Sequence, residues 1–282
     1  MLPKADLHIH TTASDGKLDP TEAVELAAEK RLVALSITDH DTFDGYKKAA
    51  EVAERLEIEL IPGVEISTSY NGTEAHLLAY YFDPDSEYFM NFLRSQRVAR
   101  RDRIKVIIES LNKAGLDINY DEVRAEANGA NIGRPHAAKV LIDKGYVGNA
   151  HEAFLRYLSF DQLGELETGY PDIKEAIKMV KEVGGAAILA HPGKLYSEEN
   201  IWELIGSGLD GLECIHPSHN WKLQKHYTEI AEKNSLLLTG GSDFHGYKEQ
   251  AYSHVGVVSV AMKHVQKMKR MTDQRKLINK PK

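Results

Sequence analysis

The chain has 282 residues, 42% apolar and 27% charged, the composition of an ordinary globular protein with length enough for a substantial core. Its formal net charge of -7 excludes a general electrostatic grip on long duplex nucleic acid, and no apolar run reaches membrane-spanning length. The one cysteine, Cys214, leaves no internal disulfide; with no signal-peptide pattern at the start, the expected location is the cytoplasm. In chain order, Asp6-Leu7-His8-Ile9-His10 alternates polar with apolar and reads as a strand, with His8 and His10 on one face. Asp15 follows in a loop that Gly16 is expected to turn. Asp19-Pro20 starts a helix to about Lys30, and residues 32–38 read as a buried strand ending in Asp39-His40-Asp41. A helix from Asp44 to about Leu56 leads to a strand over 58–67, with Glu65 between Val64 and Ile66. A further strand runs over 73–82 and carries His76 near its start. Alternating strands and helices predict an α/β fold, where active sites gather at strand ends.

From about Asp85 the pattern changes. A long helix is expected to about Gly115, carrying Arg94, Arg97, Arg100, Arg101 and Arg103. Arginines 97, 100 and 103, three apart, drift slowly around a helix, so one face can look into a cleft. Short helices follow, one opened by Gly133-Arg134-Pro135-His136. Residues 100–170 are therefore expected to be a helical insert, with residues 1–99 and 171–282 forming the main domain. The rhythm resumes with a helix over 172–183 and a strand over 186–190 that ends in His191-Pro192-Gly193. Next come strand 211–215 before His216, a helix over 223–233, and strand 235–239 before Gly240-Gly241-Ser242-Asp243-Phe244-His245. Cys214 sits inside the apolar strand 211–215, which marks it as a structural thiol. The tail reads as helix to about Met271.

His8, His10, Asp15, His40, Glu65, His76, His191, Asp243 and His245 all lie on a strand or in the turn after one. One such histidine is ordinarily a satisfied polar residue; nine candidates in one chain are not explained that way. Nitrogen and carboxylate donors without thiolate suit manganese, zinc or iron. The set is too large for one tetrahedral ion and fits about two or three divalent ions sharing carboxylates, with Glu65 and Asp15 as the bridges. Such ions bring the pKa of bound water, and so the hydroxide they hold, near neutrality, and they neutralise charge on a phosphoryl group in flight. The expected chemistry is hydrolysis of a phosphate ester, with an amide as the alternative.

Four motifs in order resemble the PHP superfamily, the polymerase and histidinol phosphatase family. They are Asp6-Leu7-His8-Ile9-His10 with Ser14-Asp15-Gly16; Thr38-Asp39-His40-Asp41; Pro62-Gly63-Val64-Glu65; and His191-Pro192 followed by Gly241-Ser242-Asp243-Phe244-His245. Arg134-Pro135-His136 is similar to the branch containing 3',5'-nucleotide bisphosphatases and a 5'-to-3' exoribonuclease of short RNA. The resemblance implies a distorted (β/α)7 barrel of the PHP type with a small helical insert, and a trinuclear site, often manganese. It also implies that His8, His10, Glu65 and Asp243 hold one ion, that Asp15, His40 and His245 hold a second, and that His76 and His191 hold a third bridged by Glu65. Arg134 resembles the family arginine that binds phosphate, and its planar fork suits two-point contact. Arg100 and Arg103 are further candidates, with Asp15 and His40 facing substrate. His216 is the candidate proton donor to the leaving oxygen, and Asp39 is expected to orient a ligand imidazole. The remaining histidines, His219 among them, are expected to be structural or to lie at the surface.

One segment departs from the branch. Arg156 to Glu167 is acidic and apolar where the branch is glycine-rich. The partner expected on these grounds is a small phosphorylated nucleotide or short oligonucleotide, with neither duplex nucleic acid nor membrane. A different hydrolase on the same metals, of the histidinol-phosphatase or amidohydrolase type, is the runner-up, and a non-catalytic metal-binding module stands behind it. A bisphosphate needs a second anion site away from the metals, for which Arg134 is the candidate.

Overall fold

Ala5, Leu7 and Ile9 alternate with Asp6 and His8, and in the computed structural model they form β1 (Lys4–Ile9), buried from Ala5 onward. The structure describes residues 2–163, 169–247 and 249–279. β1 lies parallel to β2 (Ala34–Ile37), which is parallel to β3 (Glu59–Leu60). A short β9 (Val260–Ala261) runs antiparallel on the other side of β1, completing a four-stranded sheet of order β3-β2-β1-β9. The second sheet has the order β4 (Gly63–Tyr70), β5 (Thr73–Tyr80), β6 (Ala186–Leu189), β7 (Gly211–Ile215) and β8 (Leu237–Gly240). Isolated bridges link the sheets at two places, Ile9 with Phe244 and His40 with Glu65.

Two features break the expected strand–helix alternation. The strand anticipated over 58–67 is divided at Ile61 and Pro62, because proline has no N–H to extend a ladder. β4 and β5 then form an antiparallel hairpin, and β5 is antiparallel to β6 as well. The hairpin turns at Asn71 and Gly72, both at positive φ (50° and 78°), the conformation that Asn-Gly favours between two strands.

Helices cover the sheets. α1 (Pro20–Glu29) begins as anticipated, with Asp19 and Glu22 forming a reciprocal cap. α2 (Asp44–Arg55) packs beside it. α3 (Glu87–Lys113) is one continuous helix of 27 residues that passes straight through position 100. It leads into α4 (Tyr120–Ala127), α5 (Arg134–Asp143), α6 (Ala150–Ala153), a single π turn over Phe154–Leu158, and α7 (Phe160–Leu163). Ile104, Ile107, Leu111, Val123, Leu141 and Leu158 form an apolar cluster confined to this region. Of the divergent segment, residues 164–167 lie outside the described residues. The chain returns through α8 (Ile173–Glu182), α9 (Glu198–Gly206), α10 (Trp221–Lys233), α11 (Glu249–His254) and α12 (Met262–Asn279). Among the described residues no helix is long and apolar enough to cross a membrane.

Candidate metal centre

Glu65 is the hub. It is an acidic residue within β4, 1% exposed, and its two oxygens face different sides. Oε2 lies 3.3 Å from His8 Nε2, 3.0 Å from His10 Nε2 and 3.3 Å from His40 Nδ1. Oε1 lies 3.0 Å from His76 Nδ1 and 2.9 Å from His191 Nε2. Asp243 Oδ1 sits 3.3 Å from both His8 Nε2 and His10 Nε2. Asp15 approaches His10, His40 and His245 at 3.6, 3.7 and 3.5 Å. All nine residues singled out from the sequence therefore join one network. It is buried on most sides, and the side chains of His191, Asp243 and His245 are each about a quarter exposed.

Three groups of donors lie within 4.8 Å of one another: His10, Asp15, His40 and His245; His8, His10 and Asp243; and His40, Glu65 and His76. The fit to divalent cations rests on local geometry. His8 Nε2 and His10 Nε2 face each other at 3.1 Å, close enough to share either a proton or a cation. Ligands held about 2.0–2.2 Å from a shared cation are roughly 3.0–3.6 Å apart, the spacing found here around Glu65 Oε2 and Asp243 Oδ1. Among the described residues, the buried Nδ1 atoms of His10 and His40 have no hydrogen-bond partner.

Electrostatics agree. Burial alone would push the Glu65 carboxyl up, but the surrounding imidazoles, His40 first, hold it well below the usual range. Asp15 and Asp243 are lowered in the same way against their burial, chiefly by His40 and by His8 respectively. Burial opposes protonation of His8, yet Glu213 and Glu65 outweigh it and raise its pKa well above the ordinary value. His40 goes the other way: burial, and then Arg100, push its pKa well below the ordinary value.

The backbone is strained where it delivers ligands. His191 and Asp243 are non-glycine residues at φ +24° and +47°, conformations that cost about 1–3 kcal/mol and collect at functional sites. Gly16 helps differently from the expected turn. Its φ is not positive, and a Cβ there would stand 2.4 Å from the His10 carbonyl oxygen, so glycine is needed for close approach.

The supporting residues differ from those anticipated. Asp39 does not orient an imidazole: its oxygens accept from Thr11 N–H, Thr11 Oγ1 and Ser14 Oγ, each at 2.7 Å, and so brace the turn that carries Asp15. The orienting carboxylate is Glu213, which sequence reasoning passed over. It is fully buried in β7, accepts from His8 Nδ1 at 2.9 Å and from the His191 N–H at 2.8 Å. Glu74 was also missed; its Oε1 accepts from His76 Nε2 at 3.2 Å and from Arg134 Nη2 at 3.4 Å. His219 is structural as expected, and its role is specific: Nε2 accepts the Gly193 N–H and Nδ1 donates to the Cys214 carbonyl, both at 3.0 Å.

The three arginines part company. Arg134 also donates to the Leu158 carbonyl at 3.2 Å, and its guanidinium lies 5.8 Å from the Phe154 ring centre. Arg100 is buried, but its donors are engaged by the protein: Ile132 O at 2.8 Å, Ser67 Oγ at 2.8 Å and Asp15 Oδ2 at 3.3 Å. Arg103 is buried within the fields of Glu74, Tyr170 and Arg134. Arg97, on the same helix face, pairs instead with Asp44 at 3.4 Å near the surface. His216 Nε2 lies 3.3 Å from Asp243 Oδ2, while its Nδ1 receives the Ser218 N–H at 3.1 Å.

Known proteins share this arrangement of chain and fold. The 5'-3' exoribonuclease of Haemophilus influenzae is 36% identical over 251 residues, covering 87% of this chain and 91% of the relative. The 3',5'-nucleoside bisphosphate phosphatase of Chromobacterium violaceum is 32% identical over 246 residues, covering 85% of this chain and 86% of the relative. A crystal structure described as a metal-dependent phosphoesterase from Bifidobacterium adolescentis superposes with a TM-score of 0.82 at 32% identity, over 95% of this chain and 96% of that one. The sequence profile of the PHP domain matches residues 6–189, from the Asp6 that precedes His8 to the end of β6. With most of the candidate ligands inside that span and relatives aligned along nearly the whole length, the chain belongs to the PHP domain family.

Proposed function

We propose that this metal-dependent phosphoesterase hydrolyses a phosphate monoester of a small nucleotide, such as a 3',5'-nucleotide bisphosphate, or removes nucleotides from the 5' end of short RNA. The observation that carries the reading is the convergence of five imidazoles on Glu65, with Asp15, Asp243 and His245 joined to the same network, in a chain aligned over at least 85% of its length with relatives named for those reactions. In this reading the linked sheets are a distorted (β/α)7 barrel. Residues 1–99 and 171–282 make up the catalytic domain and residues 100–170 an insert over the site. The single buried cysteine suits the cytoplasm, to which we assign the enzyme.

His8, His10, Asp15, His40, Glu65, His76, His191, Asp243 and His245 would hold two or three divalent ions, with manganese preferred. When bound, such ions acidify water and neutralise charge on the phosphoryl group. The chain supplies the rest. Glu213 keeps the His8 proton on Nδ1, leaving Nε2 as the donor toward the cluster. Arg134, joined to His76 through the Glu74 carboxylate, would bind the oxygens of the scissile phosphate. Arg100 pairs with Asp15 at 3.3 Å, and Arg103 lies in the field of Glu74, both from the insert side. The Ser218 N–H bond to His216 Nδ1 assigns the ring proton to Nε2, from which His216 would donate a hydrogen bond to the leaving oxygen, the proton that completes the alcohol coming from water.

A panel of nucleoside monophosphates, 3',5'-bisphosphates, 5'-phosphorylated trinucleotides and histidinol phosphate tests the reading, each assayed with manganese and with chelator. The expected result is turnover of the bisphosphate or the trinucleotide, abolished by chelator. Preference for histidinol phosphate, or turnover that survives chelation, would overturn it.

A further inference from the structure

A cavity of about 560 Å³ opens on the exposed side of the centre, between the turns that follow β6 and β7. His191, His216 and Asp243 are at its inner end, and Lys194, Leu195 and Leu223 line it farther out. Its size is that of a site for one small ligand. Among the described residues Lys194 is the sole lysine or arginine on its wall. Among the described residues its ammonium makes no hydrogen bond or ion pair. A surface lysine without a partner is commonplace in itself. This one is three residues from His191, so their Cα atoms are at most about 11 Å apart.

The loop that carries it is also fixed. The His191 N–H is held by Glu213 at 2.8 Å, and the Gly193 N–H by His219 at 3.0 Å. The Gly193 carbonyl accepts from Tyr227 at 2.9 Å, and the Leu195 N–H donates to the Pro192 carbonyl at 3.1 Å. Four bonds on a short loop hold the Lys194 backbone in a set position relative to the reacting end. Leu195, 62% exposed, and Leu223 offer apolar surface to a base or ribose between the two ends. Arg134, tied through Glu74 to His76, does not line this cavity.

We propose that the cavity takes the nucleoside of the substrate and that Lys194 binds its second, non-scissile phosphate. The inference rests on the phosphoesterase reading above and specifies which end of a bisphosphate goes where. Lysine acts here as a point charge for phosphate and needs no two-point geometry.

The test compares Lys194→Ala, Lys194→Glu and Lys194→Arg with the wild-type protein in manganese, on a nucleoside 3',5'-bisphosphate and on the matching 3'-monophosphate. Calorimetric binding of the nucleoside 5'-monophosphate provides a readout independent of turnover. In the alanine variant KM for the bisphosphate should rise about tenfold relative to that for the monophosphate, with kcat little changed; glutamate should be worse and arginine close to wild type. Binding of the 5'-monophosphate should weaken in step. Unchanged KM and binding in the alanine and glutamate variants, or equal losses on both substrates, would overturn the assignment while leaving the phosphoesterase reading intact. A wild-type protein that turns over no nucleotide phosphate would end both.

Discussion

Glu213 accepts a hydrogen bond from His8 Nδ1 at 2.9 Å, and its other oxygen takes the His191 N–H at 2.8 Å. One carboxylate thereby fixes the ring of a ligand on β1 and the backbone of a ligand after β6. Carboxylates placed in this way set the tautomer of a metal-binding histidine, and their loss typically costs about 10–100-fold in metal affinity. Glu213→Gln keeps the shape but removes the charge. Manganese affinity, measured by chelator competition, should fall within that range, with a smaller loss in melting temperature of the metal-free protein. Wild-type affinity in the variant would mean that Glu213 serves packing alone.

Arg134 and Glu74 lead to a second expectation. Glu74 is buried, and although burial raises a carboxyl, Arg134 and His76 hold it well below the usual range. It stays charged and anchors the guanidinium beside His76. If Arg134 grips the scissile phosphate, Arg134→Ala should lower kcat/KM by about a hundredfold on bisphosphate and on simple aryl phosphate alike. Arg134→Lys should recover only part, because an ammonium lacks the planar fork. A loss confined to the bisphosphate would instead make Arg134 the second anion site, the role suggested by sequence.

What the sequence made legible follows from periodicity. His8 and His10 stood out because a strand repeats every two residues, and His191, Asp243 and His245 because they follow short apolar runs. Glu65 stood out as an acid within an apolar strand. The same signal is present at Glu213, between Leu212 and Cys214, in a run that also fits a plain buried strand. Glu74 and His76 share the two-residue spacing of His8 and His10, another available cue. Asn71-Gly72 between the two strands is a further available cue, to the hairpin that interrupts the expected strand–helix alternation. The engagement of Arg100 with Ile132 and Ser67 left no such trace, because those partners are 32 and 33 residues away and only the folded insert brings them together. β9, two residues long, is too short to carry any pattern.

Arg100 binds the insert to the sheets. Its guanidinium bonds the loop carbonyl of Ile132, Ser67 on β4 and Asp15 in the first turn, and it lies 3.6 Å from Asp41. Removing one partner from such a buried charge network leaves carboxylates uncompensated and costs about 3–5 kcal/mol. Arg100→Ala should lower the urea midpoint accordingly and reduce kcat through a loosened Asp15. Arg97→Ala, at the surface on the same helix, should change stability by less than about 1 kcal/mol. Similar effects from both variants would show that Arg100 contributes only ordinary helix packing.

Gly241 sets how closely the end of β8 approaches β1. A Cβ there would stand 2.4 Å from the His8 nitrogen, 2.5 Å from His8 Cβ and 2.7 Å from Asp6 Oδ1. Those atoms are mostly backbone or held by it, since Asp6 Oδ1 also receives the His8 and Ser242 N–H groups at 3.2 and 2.9 Å. Nothing flexible can give way, so Gly241→Ala must push Asp243 away from His8 and His10. The overpacking itself should cost about 1–3 kcal/mol in the metal-free protein. The loss of bound metal should exceed that, because the 3.3 Å contacts of Asp243 Oδ1 with both imidazoles are the ones displaced. Metal content after dialysis, read beside the urea midpoint, separates the two. A variant that is destabilised but retains full metal would place Asp243 outside the ligand set.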